Sequence, residues 1–287
     1  MITPKLSVLI STYRPEGIER VCAMNLPVVD GVDYVVSWQE HHDAPIPDSL
    51  ASRNDMSVYR TDSHGLSNNR NNALEHATGD VILIADDDLT YTPQQLLDII
   101  HVFDEHPEVD YASFRYKGAT NKNYPNTISD LAHLPKGFYQ SSIEIAFRNN
   151  DRTRHLRFNP LLGLGAPKLT CGEEELLLYK ARKSGLKCMY FPIEITSHPH
   201  ISTGEQQNVS DGFLNANGAV ISVMHPWSFV ARITVNALRL KRAGRTGFFK
   251  AVAHMFEGAI YAFTHSEIRN YAKPRNKLKS KCADTQS

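Results

Sequence analysis

Apolar and polar positions fall into a regular order over the first third of the chain. The run "KLSVLIST" (5–12) is short, β-rich and ends in polar residues, so it predicts a buried strand. "PEGIERVCAMN" (15–25) predicts a helix, and "DYVVSW" (33–38) and "MSVYRT" (56–61) predict two more strands. A polar segment then leads into a helix, "SNNRNNALEHAT" (67–78). "DVILIA" (80–85) is apolar at successive positions, as a central parallel strand covered on both faces should be. After it, Thr92 can cap a helix, Pro93 suits its first turn and Gln95 completes a capping box. Leu96, Leu97, Ile99, Ile100 and Phe103 give that helix its apolar face. Strands alternating with helices predict an α/β fold with a Rossmann-like, mostly parallel central sheet flanked by helices. Ligands of such sheets sit beyond the carboxyl ends of the strands, where Thr12, Gln39, Asp62 and Asp86 fall.

The second half is less regular. "ASFRYKG" (112–118), "SSIEIAFR" (141–148) and "LKCMYFP" (186–192) predict strands. "CGEEELLLYKARKSG" (171–185) predicts a helix ending at Gly185. From Trp227 the character changes. Phe229, Ile233, Ala237 and Leu240 share one helical face beside Arg232, Arg239 and Arg242, and "FFKAVAHMFEGAIYAF" (248–263) predicts a second amphipathic helix. "RNYAKPRNKLKSK" (269–281) is a basic tail.

Charge sharpens this division. The formal net charge is zero, yet residues 227–287 carry +9 and residues 1–226 carry −9. An acidic body with a basic tail implies two jobs. Four cysteines without CxxC or zinc spacing point to a reducing compartment and no disulfide framework. The apolar run at the N-terminus is too short for a signal peptide, and no run reaches the ~20 apolar residues that span a bilayer. The expected location is the cytoplasm, with peripheral contact at the inner face of a membrane.

The stretch "GDVILIADDDLTY" (79–91) raises the question of chemistry. Three successive carboxylates repel; at ~4 Å and an effective dielectric near 20, each like-charged pair costs about 4 kcal/mol. A divalent cation would offset that cost, whereas arginine or lysine partners for all three would remove the need for one.

In order and spacing these motifs resemble the family 2 glycosyltransferases, inverting enzymes of the GT-A fold. The resemblance rests on "SVLISTYRPEGIERV", on "GLSNNRNNALEHATGDVILIADDDL", on "FNPLLGLGAPKLTCGEEELLL" and on "SHPHISTG", and it covers about residues 5–204. It implies a bacterial polysaccharide-type transferase of residues 1–226, with a nucleotide-binding half to about 110, an acceptor half over 111–226 and a C-terminal helical extension over 227–287. It also implies Mg²⁺ or Mn²⁺ holding the diphosphate of a UDP- or GDP-sugar. Asp88 would ligate the ion directly, with Asp86 and His198 as further ligands, and Asp86 or Asp87 would face the ribose or donor sugar. Glu174 stands where the family has the Asp that serves as general base. Its longer side chain leaves Glu173 as a rival, and both would be favoured at a helix start by the helix dipole alone. Thr12, Tyr13 and Arg14 match the residues that grip base and ribose. For the acidic residue that reads the base after the second strand, Gln39, Glu40 and Asp43 are the candidates, with Glu40 placed in the site. Arg70 would meet the nucleotide or an aspartate of the triplet, and Ser202, Thr203 and Gly204 would close over the donor.

The acceptor implied is a saccharide or lipid-linked saccharide. The competing functions are a sugar nucleotidyltransferase, whose Gly-rich basic loop "STYRPEGIERV" lacks, and a non-catalytic nucleotide-sugar-binding subunit. The acidic body argues against nucleic acid as a partner. Arginines beside an apolar helical face fit an anionic membrane surface. The alternative is a helical pair packed on the catalytic domain or on a second subunit of a homo-oligomer.

Overall fold

The computed structural model describes residues 5–118, 122–133, 135, 138–198 and 209–272. Ser202, Thr203, Gly204 and most of the basic tail lie outside these residues. The first half alternates β1 (Leu6–Tyr13), α1 (Arg14–Ala23), β2 (Val32–Gln39), a short α2 (Asp48–Ala51), β3 (Met56–Thr61), α3 (Leu66–Glu75), β4 (Val81–Asp86) and α4 (Pro93–Glu105). The second half holds β5 (Tyr111–Lys117), β6 (Ser129–Asp130), β7 (Ile145–Arg148), α5 (Glu173–Lys183) and β8 (Cys188–Ser197). A helical layer follows, α6 (Asp211–Met224), α7 (Phe229–Arg242), α8 (Phe248–Thr264) and α9 (Ser266–Arg269).

Among the described residues one eight-stranded sheet runs β3-β2-β1-β4-β7-β5-β8-β6. β3, β2, β1 and β4 are mutually parallel, as expected. β7 is antiparallel to both β4 and β5, and β5 and β8 pair in parallel. Alternate residues of each central strand feed opposite cores. Val8, Ile10, Val36 and Leu83 pack with α1 and α4, while Leu9, Val35, Ile82 and Ile84 pack with α3 and α5. The strand ends Tyr13, Gln39 and Asp86 come together at one edge because β1 aligns Thr12 with Trp38 and Ser11 with Asp86.

The short α2, β6 and α9 were not expected from the sequence, and three larger elements also depart from the expectation. Of 141–148, only Ile145–Arg148 is strand; Ser142–Glu144 is a 3₁₀ turn whose Ser141 and Glu144 form a capping box. β8 does not stop at Pro192 but continues to Ser197, slipping register against β5 between Ser113 and Arg115. Pro192 has no N–H to donate, so the ladder bulges there and then resumes. Helix α6 was not expected at all. It packs closely on α8 and touches α7 and α5, so the helices beyond residue 226 share a core with one that precedes it.

Candidate active site

β4 explains how three adjacent aspartates coexist. Its end turns their side chains in different directions, and each finds a different partner. Asp86 accepts from Arg70 Nη2 at 3.2 Å. Asp87 is buried and takes both nitrogens of a fork from Arg20, at 3.1 and 2.8 Å, together with the Thr12 hydroxyl. Asp88 points the third way, its Oδ2 3.4 Å from Nε2 of His198. Repulsion is thus relieved in two of the three cases by arginines of the fold. Asp87 ties α1 to β4, and its placement does not support the sugar-facing role expected of it.

Arg70 organises a second cluster of charged groups. It lies on α3, and its side chain is only 2% exposed. Nη1 donates to Glu173 Oε1 at 3.0 Å and lies 3.5 Å from Glu174 Oε1; Nη2 reaches Asp86 and donates to Ser142 Oγ at 2.7 Å. The guanidinium also stacks on Phe158, 5.2 Å from the ring centroid. Burial works against the charge, yet the carboxylates of Asp86, Glu174 and Glu173 outweigh it and hold the Arg70 pKa above its ordinary value.

Glu173 and Glu174 open α5, whose first turn also contains Glu175. They differ in setting. The Glu173 side chain is 5% exposed, and burial together with the neighbouring Glu174 charge drives its pKa well up despite Arg70. Its Oε2 has no hydrogen-bond partner among the described residues. The Glu174 side chain is 16% exposed and more loosely held by Arg70.

At the ends of β1 and β2, Arg14 donates to Glu40 at 3.0 Å, and His64 approaches the other oxygen of Glu40 at 3.4 Å. Arg14 and Glu40 both have left-handed backbones, with φ of 64° and 47°. Such conformations are costly for side chains larger than glycine and cluster at functional sites. Tyr13 is 49% exposed, with the guanidinium groups of Arg14 and Arg20 at 5.3 and 6.0 Å from its ring centroid. Of the three base-reading candidates, Gln39 turns inward to Ser63 and Gly65, Asp43 stands in solvent, and Glu40 faces Arg14.

The structure therefore brings Asp86, Asp88, Arg70, Glu173, Glu174 and His198 to one edge of the sheet, beside Thr12, Tyr13, Arg14 and Glu40. Sequence reasoning missed Arg20 and Ser142. Arg20 follows Gly17 by three residues on α1, but only the packed helix shows that it meets Asp87. Among the described residues no three histidine, cysteine or acidic groups converge tightly enough to hold a metal by themselves. Asp88 and His198 supply one carboxylate and one imidazole. That set suits Mg²⁺ or Mn²⁺ when diphosphate oxygens and water complete the shell. A separate cavity of about 250 Å³ lies near the start of β1 and β4, where Arg148 donates to the carbonyls of Phe103, His106 and Val109.

Residues 44–162 match the family described as Glycosyl transferase family 2. No curated protein matches the sequence. The fold is similar to that of S. aureus TarS 1-349, at 16% identity and a TM-score of 0.55, over 91% of this chain and 92% of that one. The same TarS fragment in complex with UDP-GlcNAc aligns over 93% of this chain and 91% of that one, at 15% identity and a TM-score of 0.56. The mannosyltransferase PcManGT from Pyrobaculum calidifontis, in complex with GDP-Man and Mn²⁺, aligns over 96% of this chain and 77% of that one, at 15% identity and a TM-score of 0.50. The stretch that carries the aspartates thus lies within a match to the family 2 glycosyltransferases, on a GT-A-like fold shared along nine-tenths of the chain with glycosyltransferases of known structure.

Proposed function

We propose that the protein transfers a sugar, with inversion, from a UDP- or GDP-linked donor to a hydroxyl of a saccharide or lipid-linked saccharide. Support comes from the family match and from the nucleotide-sugars held by proteins of similar fold. The observation that carries the reading is the division of one cleft into two sides. Asp88 and His198 face each other on the donor side, and Glu174 sits beside Arg70 on the acceptor side.

Residues to about 110 would hold the nucleotide, with Tyr13 and Arg14 against the base and ribose and Glu40 beside them. Residues 111–226 would hold the acceptor, with the C-terminal helices packed on that half through α6 and the loop before α5. Asp88 and His198 would hold Mg²⁺ or Mn²⁺, with Asp86 adjacent. The ion would supply Lewis-acid stabilisation of the departing diphosphate. Glu174 takes the proton from the acceptor hydroxyl, whose oxygen bonds to the anomeric carbon from the face opposite the diphosphate. The bond from that carbon to the diphosphate oxygen breaks, and its electron pair leaves with the nucleotide. Glu173, held by Arg70 and with its proton affinity raised by burial, orients Arg70 and does not compete as base. Arg70 in turn keeps Glu174 and Asp86 in place, so geometry and fixed charge supply most of the rate.

The direct test is transfer from UDP- and GDP-sugars with Mn²⁺ present or chelated. Loss of transfer in Glu174→Gln with donor binding retained supports the assignment. Full activity in Glu174→Gln would refute it.

A further inference from the structure

α7 is apolar on two opposite faces. Ile233, Ala237 and Leu240 are buried against α6 and α8. On the opposite side, Ala231, Val235 and Leu238 recur at i, i+4 and i+7 and are all exposed, with the exposed Arg242 following on the same face. α8 repeats the pattern. Its core face is Ala251, Met255, Ala259 and Ala262, while Phe249, Ala253, Ile260 and Phe263 stand exposed on another. Trp227, at the start of α7, is 99% exposed, Phe249 84% and Ile260 61%. Helices of a globular protein present one apolar stripe, not two. Exposed clusters of large apolar residues mark interaction surfaces.

The charge on these helices names the occupant. From residue 212 to residue 256 there is no aspartate or glutamate, whereas Arg232, Arg239, Lys241, Arg242, Arg245 and Lys250 all lie there. Arg232, Arg239, Lys241 and Arg242 are exposed. Among the described residues no helix is long and apolar enough to cross a bilayer. Aromatic and aliphatic side chains interleaved with arginines, on helices too short to span, suit the headgroup layer of an anionic membrane.

We propose that the outer face of α7 and α8 docks on an anionic lipid surface, with Trp227, Phe249 and Ile260 entering the headgroup layer and Arg239 and Arg242 meeting lipid phosphates. α8 is tied to the loop before α5 by Lys168 and Glu257 at 2.6 Å, and Ala262 and Ile268 pack with Leu162 and Leu169. The docking stands independently of the reaction in the cleft.

Co-sedimentation of the full chain with vesicles tests it. The expected result is partition into phosphatidylcholine vesicles containing phosphatidylglycerol, little partition into phosphatidylcholine alone, and release by ~1 M salt, where the screening length falls to about 3 Å. Phe249→Ser with Ile260→Ser should weaken partition at least about tenfold without lowering the melting temperature, because both side chains are exposed. Arg239→Gln with Arg242→Gln should remove the preference for anionic vesicles. The proposal is overturned by equal partition of the wild-type protein into both vesicle types, or by none into either. It is also overturned if these substitutions instead split a dimer that does not bind lipid.

Discussion

Asp87 and Asp88 are neighbours in sequence with opposite duties. The first is buried under Arg20 and Thr12, and the second faces His198. Two substitutions separate these duties. Asp88→Ala should lower transfer by at least about 100-fold, the scale of losing one preorganised charge contact, with little change in melting temperature. Asp87→Asn should instead lower the melting temperature, because it weakens a charged fork that joins α1 to β4. Arg70→Met is the harsher change. It leaves Glu173 and its neighbours without their cation, and the loss of one partner of a buried ion pair costs about 3–5 kcal/mol. Glu173 makes that network sensitive to pH. Its folded pKa lies above the ordinary value of 4.5, so its contribution to stability is complete below 4.5 and is lost as the pH rises through the raised folded pKa. Denaturant midpoints measured from acid to neutral pH should fall less steeply in Glu173→Gln than in the wild type; identical slopes would mean that Glu173 ionises freely.

Elements differ in how locally they are specified. α4 was legible because its signals lie within it, and the structure contains the capping box of Thr92 and Gln95. Leu96, Ile99, Ile100 and Phe103 are buried as their spacing predicts. α6 was not legible. Its glycines and asparagines lower helix propensity, and its reason to exist is a partner more than thirty residues away. There the helix backbones come so close that a Cβ on Gly218 would lie 1.8 Å from the Met255 carbonyl oxygen, and one on Gly258 equally close to that of Asn215. Gly218→Val should therefore force α6 and α8 apart and lower the melting temperature strongly, by ~3 kcal/mol or more of stability. Gly244, with open space around it, marks the contrast: no packing penalty arises there, only its positive φ.

For the whole molecule the separation of two functional surfaces makes a further prediction. If donor and cation meet at Asp88 and His198, nucleotide-sugar should raise the melting temperature only with Mn²⁺ or Mg²⁺ present; about 2.7 kcal/mol of stabilisation is expected at a hundredfold excess over Kd. Comparing UDP- with GDP-sugars in that measurement identifies the base. Asp88→Ala should abolish the shift, and a shift of full size in that variant would exclude it from the donor site. The vesicle-binding variants on α7 and α8 should leave the shift unchanged, since they lie away from the cleft.

Residue order alone determined the α/β alternation, the apolar central strand ending in aspartates and the acidic helix start near residue 173, because each is a periodicity or cap written over a few neighbouring positions. It also set the contrast between the acidic body and the basic C-terminal helices. Tertiary structure decided the rest: which aspartate is claimed by an arginine, that Arg70 binds residues from three segments, that β7 runs antiparallel and that α6 is a helix. Those outcomes depend on side chains far apart in the chain meeting across a sheet edge or a helix crossing, and no local pattern records which of them will arrive.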